Sequence, residues 1–140
     1  MSGIVIVGVD GSETAMKAAR TAADLAQAMG ATLNVVTAYA SDKTEVVEIA
    51  GEDWTVSDSE QAHKVAQRVA ALLGASGVST TYTAARGKPH EVLISEAERL
   101  EAKVIVVGNR RMQGLGRVLG SVANTVAHNA PCDVYIAKTN

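Results

Sequence analysis

Two rhythms of apolar and polar positions run along this chain, and the switches between them mark its elements. Residues 4–9, IVIVGV, are continuously apolar and β-branched, as a strand covered on both faces requires. DGSETA then turns the chain and opens a helix over about 13–29. Ser12 is placed to cap it, with Asp10 and Glu13 near its positive end. Ala15, Ala18, Ala19, Ala22, Leu25, Ala26 and Met29 recur on one side of that helix, and Gly30 ends it. A second strand, ATLNVVTAYA, occupies 31–40.

Residues 41–56 break the pattern, with no regular periodicity. Between Asp42 and Glu60 stand seven acids and one lysine, together with the only tryptophan, Trp54. A connection of this length predicts a surface excursion, of the kind that serves as a lid. Helical period returns from about Ser57 to Leu73, with Ala62, Val65, Ala66, Val69 and Leu72 as its apolar stripe. STTYTAA (79–85) reads as a third strand, and Pro89 suits the first turn of a helix reaching about Glu101. KVIVVG (103–108) is a fourth strand, SVANTVAHN a short helix stopped by Pro131, and DVYIAK (133–138) a fifth strand.

Strands alternating with helices predict a doubly wound α/β fold, with a five-stranded parallel sheet and right-handed crossovers. The 140 residues fit one domain spanning 1–140. The first and fourth strands are the most continuously apolar and belong in the middle, which gives the strand order 3-2-1-4-5. That order puts a topological switch point between strands 1 and 4, where ligands bind beyond the strands' carboxyl ends. The two glycine-bearing turns, VDGS and GNRRMQGLG, leave those two strand ends and are expected to face each other across one cleft.

Composition narrows the chemistry. The 47% apolar content is mostly small aliphatic, with no Phe, one Trp and three Tyr, which does not suit base stacking on aromatics. Thirteen basic against fifteen acidic residues leave a formal charge of −2, so no nucleic acid or anionic membrane is expected as a partner. The first apolar run is too short to span a bilayer and lacks a basic flank, so a cytoplasmic location is expected. One cysteine, Cys132, excludes an internal disulfide and reads as a small packed hydrophobe. His63, His90 and His128 fall on three different helices without metal-ligand spacing. No Ser–His–acid set, paired carboxylates or general base lies near the glycine loop, which favours binding over catalysis. Weak ATP hydrolysis is the enzymatic alternative. A receiver domain needs an aspartate after strand 3, where TAARGK has none. A dinucleotide dehydrogenase needs Gly-x-Gly-x-x-Gly after strand 1, where GVDGSE stands.

GNRRMQGLGRVLGS, residues 108–121, holds four glycines and three arginines. Gly108, Gly114, Gly116 and Gly120 allow backbone N–H groups to approach a ligand, and Ser121 opens a helix whose first turn favours anions. Arg110, Arg111 and Arg117 can add charge-assisted bonds to phosphate, and Asp10 on the opposite lip can accept from an amine or a ribose. The pattern describes a nucleotide. Two plainer readings stand beside it: glycines needed only for the turn, and arginines forming a solvated patch.

IVIVGVDGSETA and the closing VIVVGNRRMQGLGRVLGSVANTVAHNAPCDVYIAKT resemble the universal stress protein family across essentially the whole chain. The resemblance implies the same five-stranded sheet, a homodimer, and either an ATP-binding or a non-nucleotide-binding branch. The ATP-binding branch is marked by Gly-x2-Gly-x9-Gly-Ser/Thr. Gly108 and Gly120-Ser121 match, whereas Arg111 replaces the second glycine and eight residues, not nine, separate it from Gly120. By resemblance Asp10 meets the adenine or ribose, Ala38 flanks the base, and Val107, Gly108, Gly120, Ser121 and Val122 surround ribose and phosphates. Val9, Gly11 and Ser12 in the first turn, with Arg111 and Gly114 in the loop, complete the expected binding set. The implied cofactor is ATP, with AMP or cyclic AMP as alternatives and Mg accompanying ATP. The implied role is a stress-response sensor. The alternative is a dimeric interaction protein with a vestigial cleft, pairing through the 133–138 edge strand.

Overall fold

The computed structural model describes residues 3–40, 44–49, 52–109 and 120–139. Among these residues seven strands and four helices follow in the order β1 (Ile4–Gly8), α1 (Glu13–Met29), β2 (Thr32–Tyr39), β3 (Thr44–Ile49), β4 (Glu52–Ser57), α2 (Asp58–Gly74), β5 (Thr80–Arg86), α3 (Pro89–Leu100), β6 (Val104–Gly108), α4 (Ser121–Asn129) and β7 (Asp133–Ala137). The main sheet has five parallel strands in the order β5-β2-β1-β6-β7. Counted without the β3–β4 pair, this is the 3-2-1-4-5 arrangement that the apolar runs require.

Period-2 alternation sorts the side chains of the central strands onto two cores. Val5 and Val7 of β1, Leu33 and Val35 of β2 and Val106 of β6 pack with the alanine face of α1 and with α2. Ile6, Val36, Ile105 and Val107 point the other way, onto Val92, Leu93 and Ala97 of α3 and Ala123 and Val126 of α4. Ala18, Ala19, Ala22, Ala23 and Ala26 all stand in the buried face of α1. A helix faced with alanine can lie close against a β-branched sheet.

Three sequence expectations need correction. Residues 41–56 contain an antiparallel hairpin, β3 against β4, with Val47 opposite Trp54 and Ile49 opposite Glu52. Val46, Val47, Ile49, Trp54, Thr55 and Val56 are good strand formers, and the acids between them hide the period. The apolar stripe of α2 is turned relative to the expected one. Ala70 and Leu73 are buried, whereas Leu72 is 52% exposed. Spacings of four, three and four from Ala62 follow the 3.6 period better than a stripe ending at Leu72. On α1, Met29 at the last turn is 36% exposed rather than in the core.

Local chemistry fixes the ends of the elements that frame the cleft. Ser12 takes extended backbone and its Oγ accepts from Ala15 N at 3.2 Å, the N-cap the sequence predicts. Gly30 closes α1 in the left-handed conformation at φ 66°. Pro89 sits in the first turn of α3.

One buried polar group ties α3 to the sheet. Asn34 of β2 accepts from Thr81 Oγ1 of β5 at 2.9 Å and donates through Nδ2 to Glu96 Oε2 of α3 at 3.4 Å. Arg99 grips the same carboxylate with two bonds, Nε to Oε1 at 2.9 Å and Nη2 to Oε2 at 2.7 Å. The Arg99 guanidinium holds the Glu96 carboxyl below the usual carboxylate range, against the opposing effect of burial.

Candidate functional site

A cleft of about 200 Å³ opens at the carboxyl ends of β1 and β6, the switch point of the sheet. Its floor is apolar: Gly8 and Val9 from β1 and its exit, Val36 and Ala38 from β2, Val107 and Gly108 from β6. One side is closed by Ser12, Thr14, Ala15 and Ala18 of the α1 entry, and the other by Pro89 and Leu93 of α3 and Val122 of α4. Asp10 and Thr139 complete the rim. Asp10 is the one ionisable side chain among the described lining residues.

The first turn is held in place by its own bonds. Gly11 adopts φ 89°, a left-handed conformation open to glycine at little cost. Asp10 Oδ1 accepts from Ser12 N at 2.9 Å, and Ser12 Oγ stands 3.2 Å from Thr14 Oγ1. The carboxylate therefore serves the turn as well as the cleft rim.

Strand ends leave backbone groups facing the cleft. Val9 N donates to Val36 O at 2.8 Å, and Gly87 N donates to Tyr39 O at 2.9 Å. In a parallel ladder, alternate residues of β2 bond to alternate neighbours. Val36 and Ala38 thus turn their N–H and C=O toward the β1 side. The β1 ladder ends at Gly8 opposite Val36, so Ala38 aims a donor and an acceptor past the end of that strand.

On the far side, α4 begins at Ser121 with Gly120 as its N-cap, and no side chain caps its first turn. The N–H groups there and the positive end of the helix favour an anion. Val107 and Gly108, which end β6 between β1 and β7 in the sheet order, line the cleft together with Val122 of α4 and Asp10.

Of the residues expected from the sequence, Val9, Asp10, Ser12, Ala38, Val107, Gly108 and Val122 line this one cleft. Gly120 and Ser121 form the start of α4 beside Val122 without being lining residues themselves. Gly11 lines a second pocket, between the start of α1 and α2, with Met16, Val65 and Arg68. Arg111 and Gly114, with Arg110, Gly116 and Arg117, lie outside the described residues. Reasoning from the sequence missed Gly8, Thr14, Ala15, Ala18, Val36, Pro89, Leu93 and Thr139. Pro89 and Leu93 had a signal: a helix after β5 must start at the same end of the sheet as the other two turns. Thr139, just past the last strand, had none.

Elsewhere, among the described residues, no group of three His, Cys, Asp or Glu side chains is placed to hold a metal. His63 packs edge-on against Tyr82, with ring centroids 5.5 Å apart. Cys132 is half-buried against the α3/α4 core, and burial pushes its thiol up from the usual range. No described helix is long and apolar enough to cross a membrane.

The universal stress protein family model matches residues 1–138. A universal stress protein of Thermus aquaticus is 33% identical over 135 residues, covering 96% of this chain and 97% of its own. Two from Mycobacterium tuberculosis are 33% identical over 136 residues, and there the chain spans 44% of the relatives' length. Among solved structures, a universal stress protein in complex with cAMP superposes with a TM-score of 0.77 at 27% identity, covering 99% of this chain and 98% of that one. One from Archaeoglobus fulgidus shares the fold, with a TM-score of 0.76 at 22% identity over 97% of this chain and 98% of that one. The chain belongs to the universal stress protein family.

Proposed function

We propose that this chain is an adenine-nucleotide-binding module of the stress response, taking ATP, AMP or cyclic AMP in the cleft between the Asp10 turn and the start of α4. The observation that carries the reading is the backbone pair of Ala38, aimed past the end of β1 into an apolar slot. An adenine edge offers an acceptor at N1 beside a donor at N6, which such a donor–acceptor pair matches. Guanine offers the two in reverse order. Val36, Pro89 and Leu93 supply apolar surface for the base. Asp10 accepts from the ribose or the exocyclic amine, and the uncapped first turn of α4 receives phosphate. The relative bound to cAMP supports an adenine ligand in this fold.

The reading is of a binder and not a catalyst. Asp10 is engaged with the backbone of its own turn, and no second ionisable group stands among the described lining residues to orient water. With ATP, Mg would enter on the triphosphate. The open edge of β7 is the proposed homodimer contact.

Equilibrium binding to nucleotide-stripped protein tests this. Saturable binding of ATP, AMP or cyclic AMP at or below millimolar concentration is expected, with GTP and GMP weaker. No binding of any adenine nucleotide would overturn the reading.

A further inference from the structure

Asn109 is the first residue beyond β6, and its side chain does what main chain does elsewhere in the ladder. Its own N–H donates to Ala137 O at 2.8 Å, the last regular rung between β6 and β7. The next rung of a parallel ladder would run from Thr139 N–H to the main-chain carbonyl of Asn109. Thr139 N instead donates to Asn109 Oδ1 at 2.8 Å, and Thr139 Oγ1 lies 3.1 Å from the same oxygen. A side-chain carbonyl thus takes over the rung.

The clamp also shapes the cleft. Thr139 is 4% exposed and is a lining residue, although it lies beyond the end of the last strand. Its Cγ2 sits 3.2 Å from where a Cβ on Gly108 would stand. Gly108 therefore gives its space to Thr139, and Thr139 in turn forms the wall beside Gly108. Nothing other than Asn109 is seen to hold the Thr139 hydroxyl and N–H among the described bonds.

We propose that Asn109 is a positioning residue for the nucleotide site: it acts through Thr139, locking the wall of the cleft that β6 and β7 contribute. This rests on the nucleotide-binding reading above. Asn109 sets where the chain leaves β6 and how far Thr139 reaches over Gly108. Its removal releases two bonds at once and lets the wall swing from the ligand.

The test pairs binding with amide hydrogen exchange at Thr139. Asn109→Ala should weaken ATP binding about tenfold, the worth of one to two lost hydrogen bonds. It should also turn the Thr139 amide from protected to rapidly exchanging. Asn109→Asp keeps an oxygen in place, so the protection should survive, and so should affinity for adenosine, a probe without phosphate. Thr139→Val removes the hydroxyl bond alone and should weaken ATP binding about threefold in the wild-type background and not at all beside Asn109→Ala. That variant carries the test if Asn109→Ala does not fold.

Wild-type affinity in both Asn109→Ala and Thr139→Val would overturn the clamp while leaving the nucleotide reading intact. Weakened binding with the Thr139 amide still protected would overturn it too, because Asn109 would then be acting on the ligand directly. A wild-type protein that binds neither ATP nor adenosine overturns the nucleotide reading and this inference with it.

Discussion

Gly108 and Thr139 share one space: a Cβ on Gly108 would meet Thr139 Cγ2 at 3.2 Å and Ala18 Cβ at 3.8 Å. Glycine at this position reads in the sequence as freedom for the backbone to approach a ligand. The structure gives it a second reason, since the absent side chain leaves room for a buried threonine. Thr139 cannot easily retreat, because its N–H and hydroxyl are both held by Asn109. Gly108→Ala should therefore cost about 1–3 kcal/mol of stability by overpacking. Adding Thr139→Ser removes the offending methyl and keeps the hydroxyl. Denaturant unfolding of the double variant should return most of the loss, and a double variant no better than Gly108→Ala would sink this account.

Acid should loosen the attachment of α3. Glu96 is held ionised by Arg99, with its pKa lowered from the ordinary 4.5. A depressed folded-state pKa stabilises the protein above the unfolded value, and that contribution is lost as pH falls through the lowered one. Stability should thus drop on acidification below about pH 4.5, in part through this residue. Glu96→Gln should be less stable than wild type at neutral pH by about 1–3 kcal/mol, since Asn34 and Thr81 sit in the same buried group. The gap should narrow toward low pH. Parallel acid unfolding curves for the two proteins would refute the assignment.

Two helix ends share a conformation and predict opposite mutational signs. Gly30 ends α1 at φ 66°, and Glu101 ends α3 at φ 50° with a side chain in the left-handed region. Gly30→Ala should destabilise by about 1 kcal/mol, although nothing lies within 4 Å of the added methyl. Glu101→Gly should stabilise, by up to about 1 kcal/mol, because relief of strain exceeds the added freedom of the unfolded chain. Thermal unfolding of both variants reads the two signs directly.

How much of this was legible in the sequence follows from how local each signal is. The strand order could be read because β1 and β6 are apolar without interruption, and only strands covered on both faces need that. Ser12, Gly30 and Pro89 marked their helix ends because each acts on its own turn. The β3–β4 hairpin was hidden because Glu45, Glu48, Glu52 and Asp53 interrupt its strand formers. Asn34, Glu96 and Thr81 gave no signal at all. Each is an ordinary polar residue in sequence, and the group exists only once β2, β5 and α3 meet across 62 and 47 residues of separation. Part of the cleft was visible for the same reason as the caps, since Asp10 and Ser12 lie in the turn after β1 and Gly108 ends β6. Leu93 could have been placed there from the topology alone, whereas Thr139 enters the cleft through packing, which no short motif records.

The last strand carries the prediction about assembly. Among the described residues β7 pairs only with β6, and no strand of theirs lies on its other edge. Tyr135 and Ile136, on opposite faces of that strand, are 46% and 37% exposed. Asn109 N bonds to Ala137 O and Thr139 N bonds back to Asn109, so the odd residues face β6. Val134 and Ile136 therefore direct their N–H and C=O outward, where a second copy can pair with them in an isologous contact. Sedimentation velocity at micromolar concentration should return a dimer. Ile136→Pro removes one outward donor per chain and leaves the rungs to β6 in place. Two donors are lost per symmetric dimer, worth about 2 kcal/mol, so its dissociation constant should rise about thirtyfold. A wild type that sediments only as a monomer, or an Ile136→Pro protein that dimerises as tightly as wild type, would move the interface away from this edge.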